Sequence, residues 1–273
     1  YNFSKSSRRL LNRLNSTNSG ISCRDFQTER VLRNNGFTNV TMTGCPVWYD
    51  VDSIGKDFKA PSEIKKIVYT PAQHVRYSDQ SIEVLKLLKT KYPNANIIVS
   101  FHRGIGEVDK YTSRADADNT RKISDFAISN GMEAIDVSYD ENNIKFYDEC
   151  DFHVGYRVHA HIYFLSKRLP SILIHEDGRG NGVTEALKSP GINAYCISKK
   201  SILFKLLPKG YYISKLYSKM GINLNMSIIN ELENEINKLE SSKYICFENT
   251  SKYIDSHFGV MKNFINSMLN PKR

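Results

Sequence analysis

Arg157, His159, His175, Asp177 and Arg179 are the side chains of this sequence whose types and spacing could do chemistry. The first two sit in GYRVHAH, after the short apolar run Phe152-His153-Val154 and before Ile162, Leu165 and Leu169 at near-helical spacing. That order predicts a strand, a turn and a helix. Unpaired backbone N–H groups and the helix dipole favour an anion at such a turn, and an arginine adds a planar fork suited to carboxylate or phosphate. His159 adds a group that can exchange a proton near neutral pH. Taken singly, Arg157 could pair with a neighbouring acid and His159 could simply pack. A second turn of the same kind weighs against both. Pro170 stops the helix, Ser171-Ile172-Leu173-Ile174 reads as a buried strand, and HEDGRGNGVTE follows with His175, Asp177, Arg179, Glu185 and three glycines.

Polar groups just past the carboxyl ends of successive strands mark the ligand edge of an open α/β sheet, so the surrounding elements must supply one. Strand-like runs at 67–69, 97–101, 134–137, 152–154 and 171–174 alternate with helical patterns at 81–92, 112–130, 144–150 and around Ile162, Leu165 and Leu169. This alternation predicts right-handed crossovers and a Rossmann-like, doubly wound parallel sheet. Upstream, 21–23 and 39–42 are short strands around a helix at 28–34, too little for a sheet covered on both faces. The polar stretch 50–63 reads as a linker. Past 192–196, residues 198–225 look irregular, and amphipathic helices follow at 226–239 and 251–269. The expected organisation is 1–52 as the carboxyl-terminal part of a first Rossmann-like domain, 60–225 as a second, and 226–273 as helices that could cross back to the first. Tyr1 is not a methionine, and the first unit reads as the back half of a domain.

The 273 residues hold 38 Lys+Arg against 29 Asp+Glu, a net charge of +9 that suits anionic substrates or anionic membrane surfaces. No aromatic-basic motif points to nucleic acid. No apolar run reaches the length of a membrane span, and no signal segment opens the sequence, so a cytoplasmic protein is expected, with peripheral association at the inner face of the membrane as an extension. The five cysteines, Cys23, Cys45, Cys150, Cys196 and Cys246, are scattered and read as reduced, mostly buried thiols. His159 and His161 lie two apart, which on a helix puts them on different faces, so metal binding is not expected.

Two segments resemble the polysaccharide pyruvyl transferase family. ISCRDFQTERVLRNNGFTNVTMTGCP (21–46) is similar to its strand, Arg-Asp, helix, strand, Gly-Cys-Pro signature. GYRVHAHIYFLSKRLPSILIHEDGRG (155–180) is similar to its Gly-x-Arg-x-His-Gly turn and His-Asp-x-Arg loop, with Ala160 in place of a glycine and Glu176 interposed. The resemblance implies a two-domain, glycosyltransferase-B-like fold with its active site in the interdomain cleft. It also implies transfer of a pyruvyl group from phosphoenolpyruvate to a sugar of a surface polysaccharide or its lipid-linked precursor, forming a cyclic ketal. On that scheme Arg157 and Arg24 hold the anionic donor, His159 is the general acid, and His175, Asp177, Arg179 and Glu185 contact substrate; no metal or cofactor is needed. Two other readings fit the same residues: a glycosyltransferase of the same fold using a nucleotide-sugar, with the glycine loop at the diphosphate, and a non-catalytic module binding anionic glycan or nucleic acid.

Overall fold

The computed structural model describes residues 2–197 and 222–269. Its centre is a six-stranded parallel sheet built from β3 (Lys66–Thr70), β4 (Asn96–Phe101), β5 (Glu133–Asp136), β6 (Phe152–Gly155), β7 (Ser171–His175) and β8 (Gly191–Asn193) in the order β5-β4-β3-β6-β7-β8. The chain steps outward from β3 to β5, then returns beside β3 and steps the other way from β6 to β8. The two directions part between β3 and β6, which opens a crevice past their carboxyl ends. The expected doubly wound α/β class is therefore present.

The strands are apolar on both faces because both are covered. Ile67, Tyr69, Ile97, Val99, Val154 and Ile172 belong to the main core. Val68 and Ile98 belong to a smaller one with Tyr147, Ala160 and Phe164. The covering helices include α3 (Ser78–Lys91), α4 (Arg114–Ser129), α5 (Val158–Ser166) and α6 (Gly178–Leu187). Ahead of the sheet, α1 (Lys5–Asn15) precedes β1 (Ile21–Cys23), α2 (Phe26–Asn34) and β2 (Val40–Met42), and β1 and β2 form a separate parallel pair.

Two elements differ from the sequence reading. The run 192–196 splits at Ala194 into β8 and β9 (Tyr195–Ile197), and part of the supposedly irregular stretch is β10 (Ile222–Leu224), antiparallel to β9. The remainder, 198–221 with Tyr211, Tyr212 and Tyr217, lies outside the described residues. The final helices are α7 (Ile228–Ser241) and α8 (Ile245–Leu269), the latter starting earlier than expected. Near its middle α8 meets the segment before β3 and the end of α5: Phe258 lies against Tyr49 at 5.5 Å, and Asp255 accepts from the Gly55 amide at 3.1 Å and pairs with Arg168 just after α5. Of the cysteines, Cys23 and Cys150 are buried and Cys196 is exposed.

Beneath the crevice runs a buried polar chain. His153 bridges Thr70 Oγ1 (2.9 Å) and Ser171 Oγ (2.7 Å), and His161 bridges the same Ser171 Oγ (2.6 Å) and Ser189 Oγ (3.0 Å). Burial favours the neutral rings, pushing His161 down to about 3 and His153 well below its ordinary value. His102, at the end of β4, is also pushed down to about 3, by burial first and then by Arg157 and His159. Below pH 6.5 the unfolded chain binds protons at these rings that the folded chain refuses. Their stabilisation is therefore complete above that pH and is lost as pH falls toward 3, at up to about 1.4 kcal/mol per pH unit for each ring. Urea midpoints should drop steeply between pH 6.5 and 4.5; a flat profile would contradict the buried neutral chain.

Candidate active site

The crevice is a cleft of about 280 Å³ whose walls include His102, Arg157, His159, Glu176, Asp177 and Arg179. Each enters from a strand end at the same edge of the sheet. Thr70 closes β3 and fixes the turn after β6: its Oγ1 accepts from the Arg157 amide at 3.3 Å, and its carbonyl from Tyr156 at 2.8 Å. Gly155 allows this approach, since a Cβ there would lie 2.4 Å from the Thr70 carbonyl oxygen. Arg157 is thereby the N-cap of α5, and His159 sits in the first helical turn instead of the loop ahead of it.

Arg157 is set deep in the cleft. Its Nη2 donates to Gln73 Oε1 at 2.8 Å, whereas its buried Nε has no hydrogen-bond partner. No carboxylate among the described residues lies within ion-pair distance of it. Burial lowers its pKa, with Glu176 acting the other way and Arg103 and Arg179 adding to the lowering. A desolvated cation with an orphaned donor and two arginines for neighbours is an energetic liability unless an anion completes it.

His159 is held below its ordinary value by loss of water against the cleft walls and by Arg179, Arg157 and Arg24. Asp177 N-caps α6 through the Arg179 amide (2.8 Å), and its carboxylate takes Arg179 Nε (2.9 Å) and Nη2 (2.6 Å). Burial would raise the Asp177 carboxyl, yet these Arg179 contacts hold it below its usual range. Arg179 is therefore neutralised where it stands, and Arg157 is not.

The remaining residues singled out in the sequence divide. His175 is buried, with Nδ1 at 3.2 Å from Asn193 Oδ1 and Nε2 at 3.2 Å from Thr184 Oγ1, so both ring nitrogens are engaged by the protein. Arg24 pairs with Asp25 at 3.3 Å and lines an adjoining, largely apolar groove of about 760 Å³ that Asp177 and Arg179 border. Glu185 points away from the cleft toward α2, where it pairs with Arg30 and accepts from Gln27 Nε2 at 3.2 Å. Of the three glycines here, Gly180 and Gly182 serve packing, whereas a Cβ on Gly178 would meet nothing within 4 Å. A Cβ on Gly180 would meet the His175 ring at 2.7 Å, and one on Gly182 would meet the Asp25 carboxyl at 3.2 Å.

Residues not singled out in the sequence complete the cleft. His102 Nε2 hydrogen-bonds Tyr147 Oη at 2.9 Å. Arg103 lies over the ring of Tyr111, 5.7 Å from its centroid. Beyond Arg157 and Glu176 a second compartment of about 320 Å³ opens, lined by Gln73, His74, Arg76 and Tyr111 as well. Their signal in the sequence is position alone, just after β3 and β4. Among the described residues, no group of His, Cys, Asp and Glu is arranged to hold a metal ion, and no helix is long and apolar enough to cross a membrane.

A switch-point cleft lined by arginines, histidines and the acids Glu176 and Asp177 marks the ligand edge of a doubly wound α/β protein. The chain belongs to the polysaccharide pyruvyl transferase family, whose profile matches residues 1–177. No curated protein sequence matches it. Among solved structures it is similar to TarM, at 14% identity and a TM-score of 0.49 over 98% of this chain and 46% of that one. It is also similar to S. aureus MnaA in a co-structure with UDP, at 13% identity and a TM-score of 0.48 over 89% and 60%. A third is accessory secretory protein 1, 2 and 3 of Streptococcus pneumoniae, at 12% identity and a TM-score of 0.47 over 92% and 44%. The chain thus spans about half the length of these structures.

Proposed function

We propose that this cleft binds phosphoenolpyruvate and transfers its pyruvyl group to two hydroxyls of one sugar, in a surface polysaccharide or its lipid-linked precursor. The observation that carries the reading is Arg157: a half-buried guanidinium whose buried Nε is unused and which, among the described residues, has no carboxylate within ion-pair distance. A donor with a carboxylate and a phosphate supplies the missing acceptors, and the amides at the start of α5 supply further N–H groups. His159, in the first turn of α5, would protonate the enol carbon. The second compartment, which shares Arg157 and Glu176 with the first, is the acceptor's side, with the exposed Tyr111 ring as a surface for a sugar. The family match supports this donor over a nucleotide-sugar, as does the use of Gly180 and Gly182 for packing instead of for an open phosphate loop.

Thermal shift is the direct test. A ligand bound only by the folded state at a hundred times its Kd adds about 2.7 kcal/mol of stability, so phosphoenolpyruvate should raise Tm by several degrees and UDP- or CDP-sugars should not. Stabilisation by a nucleotide-sugar alone would convert the reading to glycosyl transfer. Salt-sensitive affinity for an anionic polymer that survives Arg157→Ala, with no response to small ligands, would instead indicate a binding module.

A further inference from the structure

Glu176 is the acid interposed between His175 and Asp177, and it forms a wall of both compartments. Its backbone is fixed without its side chain: Tyr77 Oη donates to the Glu176 carbonyl at 3.3 Å, and the neighbouring Asp177 caps α6. Among the described residues, none hydrogen-bonds the carboxyl. A structural acid at this place would be paired with Arg157 or Arg179, the arginines that act on it most. Arg179 is instead taken by Asp177, and Arg157 lies beyond ion-pair distance. A half-buried carboxyl left without a hydrogen bond, between the compartment for the donor and the one for the acceptor, has no role in the fold that the contacts reveal.

We propose that Glu176 carries a proton for the transfer itself, giving it to the departing phosphate and recovering it from the second sugar hydroxyl; this rests on the phosphoenolpyruvate reading above. Protonated His159 delivers its proton to C3 of the enol. The first hydroxyl bonds to C2 and returns its proton to His159. The C2–O bond to phosphate then breaks, its electron pair leaving with the phosphate oxygen, which takes the proton of Glu176. The second hydroxyl bonds to C2 and reprotonates Glu176. One ketal and one inorganic phosphate result, and both side chains end as they began.

This cycle requires Glu176 to be protonated once the donor is bound. The groups around it include Arg157 at the start of α5, Asp177 and Arg179 at the start of α6, His74 and Tyr77 after β3 and Tyr156 after β6, with His102, Arg103, Arg76 and His159 lining the same compartments. Burial raises its carboxyl first, Asp177 adds to this, and Arg157, Arg179 and His74 oppose it. A multiply charged anion placed against Arg157 cancels that opposition.

Calorimetric titration with phosphoenolpyruvate at pH 7, in buffers of different ionisation enthalpy, reads the protons taken up on binding. The wild type should take up protons at both His159 and Glu176. Glu176→Gln, which mimics the protonated carboxyl, should keep its Tm, bind the donor as tightly as the wild type or up to about tenfold tighter, and take up measurably fewer protons. His159→Gln should lose the other share. An ion-pairing or merely structural Glu176 would be charged before and after binding, so equal proton uptake in the wild type and Glu176→Gln overturns the proposal. No binding of phosphoenolpyruvate by the wild type overturns the donor reading, and the role of Glu176 falls with it.

Discussion

His159→Gln should lower kcat by about 10²–10⁴-fold while leaving the donor KM nearly unchanged, because it removes proton transfer and leaves the anion site intact. The pH dependence makes this specific. In the empty cleft, desolvation and the charges of Arg179, Arg157 and Arg24 keep the ring below its ordinary value, so it is largely neutral at pH 7. A bound anion offsets those arginines and must raise it. The alkaline limb of kcat, which reports the complex, should therefore lie at higher pH than the same limb of kcat/KM, which reports the free protein. Both limbs should vanish in His159→Gln. The ring's titration followed by NMR should move upward on adding phosphoenolpyruvate. Coincident limbs, or a titration indifferent to the donor, would mean that the donor does not sit beside His159.

The contrast between His159 and His175 shows where sequence reading stops. Both follow apolar runs, His159 in the first turn of α5 and His175 just ahead of α6, with small or glycine residues nearby. The strands were readable because buried parallel strands are near-continuous apolar runs, and β3, β4, β6 and β7 fall close to the expected limits. That the two histidine-bearing turns share one sheet edge follows from the alternation of strands and helices. Which groups close on the cleft depends on sheet order, which adjacent sequence does not encode. Because β3 lies between β4 and β6, His102 and Gln73 come to face Arg157, although they precede it by more than fifty positions. Side-chain direction is equally hidden. Glu185, expected at substrate, lies near the far end of α6 on the side facing α2, so it finds Arg30. Glycine chemistry misleads in the same way: Gly180 and Gly191 look like loop residues, but each leaves room for the His175 ring, which a Cβ would meet at 2.7 and 2.2 Å.

Arg157 separates binding from stability more sharply than any other residue of the cleft. Removing a charge-assisted contact worth about 1.5–3 kcal/mol should raise the donor Kd by about 10–150-fold in Arg157→Met. Arg157→Lys should rescue little, since an ammonium cannot reproduce a planar fork that meets Gln73 on one nitrogen and a ligand on another. Arg179→Ala should cost much less, because that guanidinium is already neutralised by Asp177. The effect on folding runs the other way. The native cleft holds a partly desolvated cation with an unsatisfied buried Nε and, among the described residues, no acid within ion-pair distance, a cost that methionine of similar length removes while filling the same space. Without ligand, Arg157→Met should melt at or above the wild-type temperature, and with saturating phosphoenolpyruvate the order should invert. A residue that merely ties β6 to α5 would lose stability on substitution under both conditions. Calorimetric scans of the two proteins with and without donor distinguish the cases, and an Arg157→Met protein that is destabilised when empty yet binds donor normally would place the anion site elsewhere.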